Sequence, residues 1–145
     1  EGGIAPVGGD GRFVGSAAGE GKLADIARDD VALSAAHELA GLSSGKTTYT
    51  VSGAEALTTA EQAQRISSAI DKPIQVIPVS LEDLLRRMTR AGVPESFARV
   101  LVSFDSNVAA GQVGSVSGDF ERITDRKPRP FSDWLTSNSA ALASL

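Results

Sequence analysis

Two adjacent acids, Asp29 and Asp30, constrain this chain most. Before them runs a short apolar stretch, Leu23-Ala24-Asp25-Ile26-Ala27, and after them an alanine-rich one, Val31 to Ala40. The pattern predicts a strand over 23–27, a tight turn and a helix over 29–40. Asp29 or Asp30 is expected to cap that helix by accepting from its first free N–H groups. Gly41 is expected to end it in a left-handed cap. Val31, Ala35 and Leu39 make one stripe of the helix and Ala32, Ala36 and Ala40 another, both small enough to lie close on a sheet.

More than half of the fifteen glycines fall in residues 1–22, so that stretch reads as loop, with a short strand at Arg12-Phe13-Val14. Thr47–Val51 alternates like a strand. Thr59, with Gln62 at the capping-box position, opens a helix to Ile70 whose buried stripe is Ala63, Ile66 and Ile70. Ile74–Val79 reads as a third strand, and Pro78 places it at an edge. Ser80, with Asp83 three residues on, caps the next helix, where Leu81, Leu84, Leu85 and Met88 repeat with helical spacing. Gly92 ends it, and Pro94 opens another helix to about Ala110. Phe97, Val100, Leu101 and Phe104 repeat the same spacing there. A short helix is expected over 119–124. A last one is capped by Ser132 and carries Trp134, Leu135 and Leu142. No repeat or linker divides the chain, and 145 residues suffice for one core.

The chemistry-bearing patterns are weak. Ala40 to Thr47 matches a relaxed phosphate-loop pattern, but with helix before and strand after, the reverse of what phosphate binding needs. Gly8-Gly9-Asp10-Gly11-Arg12-Phe13-Val14-Gly15 has dinucleotide-type glycines, but Pro6 interrupts the residues before them and no helix follows. Tyr49 is the single tyrosine and residue 53 is Gly, so a Tyr-x-x-x-Lys pair is absent. His37, the single histidine, reads as a helix-surface residue. Asp25, Asp29 and Asp30 could bind a divalent cation, but capping explains two of them more simply, so no metal is expected. Arg86, Arg87 and Arg90, and the turn Arg122, Arg126, Lys127 and Arg129, read as solvated basic surface.

The absence of cysteine excludes disulfides and thiolate chemistry and fits a reducing, cytoplasmic compartment. A net charge of −4 gives no general attraction to nucleic acid or anionic membranes, and no run is long and apolar enough to span a bilayer. Residue 1 is Glu and not Met, so a processed chain or a piece of a longer one is expected.

Several segments in order resemble the C-terminal part of NmrA-like, atypical short-chain dehydrogenase/reductase proteins, in particular their NAD(P)H:quinone oxidoreductase-like branch. They are Gly9-Asp10-Gly11-Arg12; Ala27-Arg28-Asp29-Asp30-Val31-Ala32; Tyr49-Thr50-Val51-Ser52-Gly53 with Ala56-Leu57-Thr58; Lys72-Pro73-Ile74 leading to Val79-Ser80; Ala91-Gly92-Val93-Pro94; and Arg129-Pro130-Phe131-Ser132-Asp133-Trp134-Leu135. The resemblance implies an α/β fold, the substrate-side part of a Rossmann-type protein, with about three short strands and four to six helices. It implies that an N-terminal half, absent from this chain, binds NAD(P)H, so no cofactor-binding residue is expected here and the chain alone is not expected to bind cofactor. It implies a small-molecule substrate, a quinone or related carbonyl compound. Gly11, Arg12 and Phe13 would lie at the pocket mouth, and Met88 and Phe104 would supply an apolar wall, with core packing as the alternative for the last two. Catalytic residues are not assigned. The other function class left open is a non-catalytic NmrA-like regulatory or binding module. Uncovered strand edges and the alanine stripe imply self-association or a missing N-terminal half as partner.

Overall fold

A computed structural model of the chain describes residues 12–13, 18–41 and 45–143. Most of the glycine-rich start, including Gly11, and residues 42–44 of the phosphate-loop-like pattern lie outside them. Six helices and four two-residue strands follow in the order β1 (Arg12–Phe13), β2 (Lys22–Leu23), α1 (Arg28–Ala40), β3 (Leu57–Thr58), α2 (Thr59–Ile70), β4 (Gln75–Val76), α3 (Leu81–Arg90), α4 (Glu95–Ala109), α5 (Asp119–Thr124) and α6 (Phe131–Ala143). β1 pairs parallel with β4, Arg12 opposite Gln75 and Phe13 opposite Val76. β2 pairs antiparallel with β3, Lys22 opposite Thr58 and Leu23 opposite Leu57. Around these two small ladders α3 packs on α4, α2 on α6 and α1 on α5. Phe120 on α5 is almost wholly buried, and Ala63, Ile66, Leu84, Ala98, Val108 and Leu135 complete much of the core.

The acids at the start of α1 do not cap it. The N-cap is Ala27, with no side-chain cap. Asp30 turns inward instead, and its carboxylate accepts the Arg129 backbone N–H at 2.7 Å, 99 residues away in sequence. Asp29 is exposed and meets the Arg129 guanidinium only loosely, at 3.8 Å. Because Asp30 and Ser34 are the buried residues of α1, the stripe Val31, Ala35 and Leu39 faces outward, as does Ala32, Ala36 and Ala40. Gly41 ends the helix in an extended conformation and not the left-handed one, its N–H bonding to His37 O at 2.9 Å.

The strand expected over 23–27 stops at Leu23. Ala24 then donates to Val113 O at 3.0 Å and accepts from Gly53 N–H at 3.2 Å, so an extended chain threads between two loops. Gly53 is required there, since a Cβ would stand 1.7 Å from Asp25 O. Thr47–Val51 forms no strand. Side chains satisfy its backbone instead: Thr50 N–H donates to Asp119 Oδ2 at 2.7 Å, Ser117 Oγ donates to Thr50 O, and Ser117 N–H donates to Ser52 Oγ at 2.8 Å. Such side-chain partners replace a ladder. The third expected strand shrinks to Gln75–Val76.

Helix starts follow local chemistry more closely. Ser80 caps α3 as expected, its Oγ accepting from Asp83 N–H at 3.0 Å. The α2 capping box sits one residue earlier than Thr59 and Gln62: Thr58 accepts from Glu61 N–H at 3.2 Å, and Glu61 accepts from Thr58 N–H at 2.8 Å. A carboxylate is a stronger acceptor than an amide at a positive helix end, which favours that register. α6 starts at Phe131, before Ser132, with Pro130 O accepting from Trp134 N–H at 3.2 Å. Phe131 and Trp134 stack with ring centroids 6.2 Å apart.

The buried Asp30 bond predicts an asymmetry between the two acids. Asp30→Ala should lower unfolding stability by about 1–3 kcal/mol, because the Arg129 amide loses its partner. Asp29→Ala should stay within about 0.5 kcal/mol, as exposed loose pairs do. Urea denaturation of the two variants checks this.

Candidate functional site

The expected pocket residues that are described sit on β1, α3 and α4. β1, formed by Arg12 and Phe13, lies beside β4, and β4 leads through residues 77–80 into α3. α3 carries Met88, which is half-buried, and packs on α4, which carries Phe104. The α3–α4 hairpin thus follows β4 in the chain. Gly11 lies outside the described residues.

Phe104 is not core. It is 60% exposed, and Phe97 and Val100 share its exposure. The inward stripe of α4 is Ala98, Leu101, Val102, Asp105 and Val108, of which Ala98 and Val108 are fully packed. At about 100° per residue, the Phe97–Val100–Phe104 stripe lies a quarter-turn or so round the helix from it. Small Ala98 brings α4 close to its neighbours, and that approach leaves the aromatic stripe on the outer flank. The sequence spacing was correct for an amphipathic helix, but periodicity alone does not say which of two apolar stripes is buried.

α4 is anchored at its far end. Gly21 comes so close to Val108 that a Cβ would stand 2.2 Å from Val108 O. An open hollow lies there, lined among others by Gly19, Glu20, Lys22, Ala110, Gly111 and Ser115. Its walls are mostly backbone and small side chains, with one acid and one base.

Titratable groups are dispersed. Among the described residues no cluster of three metal-ligating side chains exists. Tyr49 lies under the Arg122 guanidinium, 5.4 Å from the ring centre, and Arg122 also pairs with Asp119 at 3.0 Å. His37 is exposed on the last turn of α1. The Arg65 guanidinium pairs with Glu55, which raises its pKa. Asp25 was not singled out for its surroundings in the sequence. Crowding of its carboxyl by protein raises its pKa, and the hydrogen bond from Gln62 Nε2 at 2.8 Å opposes the rise.

The described helix starts are negatively charged. Pyrophosphate seeks a helix N-terminus approached through glycine and free of negative charge. Each of the six described helices carries a carboxylate in its first turn: Asp29 and Asp30, Glu61, Glu82 and Asp83, Glu95, Asp119 and Glu121, and Asp133. These acids stabilise the helices and repel phosphate. Nor is any described helix long and apolar enough to cross a membrane.

No protein-family model matches the chain. It is 30% identical over 125 residues to an uncharacterised oxidoreductase of Bacillus subtilis, covering 86% of this chain and 44% of that protein. It is 29% identical to an NAD(P)H azoreductase of Xenophilus azovorans, over 85% of this chain and 43% of that one. Its fold matches an NADPH-dependent quinone oxidoreductase of Escherichia coli with a TM-score of 0.81 at 22% identity, over 88% of this chain and 46% of the other. It matches the triphenylmethane reductase of a Citrobacter species, solved with NADP(H), with a TM-score of 0.78 at 26% identity, over 89% and 44%. The fold is therefore like that of the C-terminal part of Rossmann-type NAD(P)-binding reductases. The chain spans under half the length of these relatives.

The raised pKa of Asp25 has a defined sign. Its stability contribution is full below the ordinary carboxylate value of 3.8 and is lost as pH rises through the higher folded value. Asp25→Asn, which keeps an acceptor for Gln62, should therefore be more stable than the parent at neutral pH, by at most about 1 kcal/mol because the residue is partly solvated. The gap should close as pH falls below the carboxylate range. Thermal melts of both proteins across pH test it.

Proposed function

We propose that this chain, a relative of NAD(P)H-dependent oxidoreductases over about 44% of their length, is the substrate-side part of such an enzyme. Its substrate is a quinone or a related carbonyl compound, and the chain is not competent alone. The NmrA-like resemblance supports this reading, as do the activities of similar proteins, which reduce a quinone, an azo compound or a triphenylmethane.

The observation that carries the reading is the division of chemistry. An apolar hairpin face and a strand pair are present, while the first turns of the described helices are acidic and unsuited to pyrophosphate. In a nicotinamide reductase the hydride comes from the cofactor, and the protein positions the acceptor and shields the transfer from water. Met88 and Phe104 would form the apolar wall, with Gly11, Arg12 and Phe13 at its mouth. NAD(P)H would bind in an N-terminal half, and self-association is the alternative cover for the exposed helix faces.

A second reading, a regulatory NmrA-like module that binds without turnover, draws on Tyr49. That tyrosine is engaged by Arg122 and has no lysine at the fourth position after it. The two readings separate on one assay. The chain joined to a dinucleotide-binding half should consume NADPH only when a quinone is added, with one hydroquinone formed per NADPH oxidised. Cofactor binding with no quinone-dependent oxidation would favour the regulatory module.

A further inference from the structure

We draw no further inference here: the strongest candidate, the open hollow between residues 18–22 and the end of α4, is walled by backbone, small side chains and the exposed Glu20 and Lys22, and nothing in the structure shows what would occupy it.

Discussion

The bond between the Asp30 carboxylate and the Arg129 amide sets the orientation of much of this molecule. It fixes the start of α1 to the segment that opens α6. To reach that amide Asp30 must face inward, and in a helix its choice dictates every other position. Ser34, one turn on, is buried with it, its hydroxyl donating to Asp30 O at 2.9 Å. The aliphatic residues Val31, Ala35 and Leu39 are carried to the outside. A polar requirement thus overrides the apolar pattern of α1, because a buried carboxylate needs a donor, and leaving a few small side chains in water costs less than burying it without one.

The same ordering of costs runs through the rest of the fold. Where strands are too short to pair, side-chain oxygens of Ser52, Ser117 and Asp119 satisfy the backbone around residues 50–52 and 117. Where chains must cross closely, Gly53 and Gly21 leave room for the carbonyls of Asp25 and Val108. What remains outside is a pair of apolar faces with different characters, a small aliphatic one on α1 and an aromatic one on α4. Every described helix meanwhile begins with a carboxylate.

The sequence revealed local signals well and long-range ones poorly. Ser80 with Asp83, Ala63 with Ile66, and the span of α5 were readable because their causes lie within a few residues. The Asp30–Arg129 bond was not, since no local feature separates a capping acid from one recruited across 99 residues. For the candidate site, spacing marked Phe104 as apolar and helical but could not place it outside the core, and Phe97 and Val100 went unassigned for the same reason. Asp25 and Gln62 stand 37 residues apart and carry no shared motif. The segments that resemble known reductases pointed to the fold more directly than periodicity did, because they carry the order of turns as well as of elements.

On the proposed reading these residues form the acceptor side of a reductase, and cofactor binding belongs to another part. Titrating NADPH with this chain, and following the nicotinamide fluorescence, tests it most directly. No saturable change is expected at any attainable protein concentration. Saturable enhancement in the micromolar range would contradict it, and would show that the acidic helix starts do not exclude the dinucleotide.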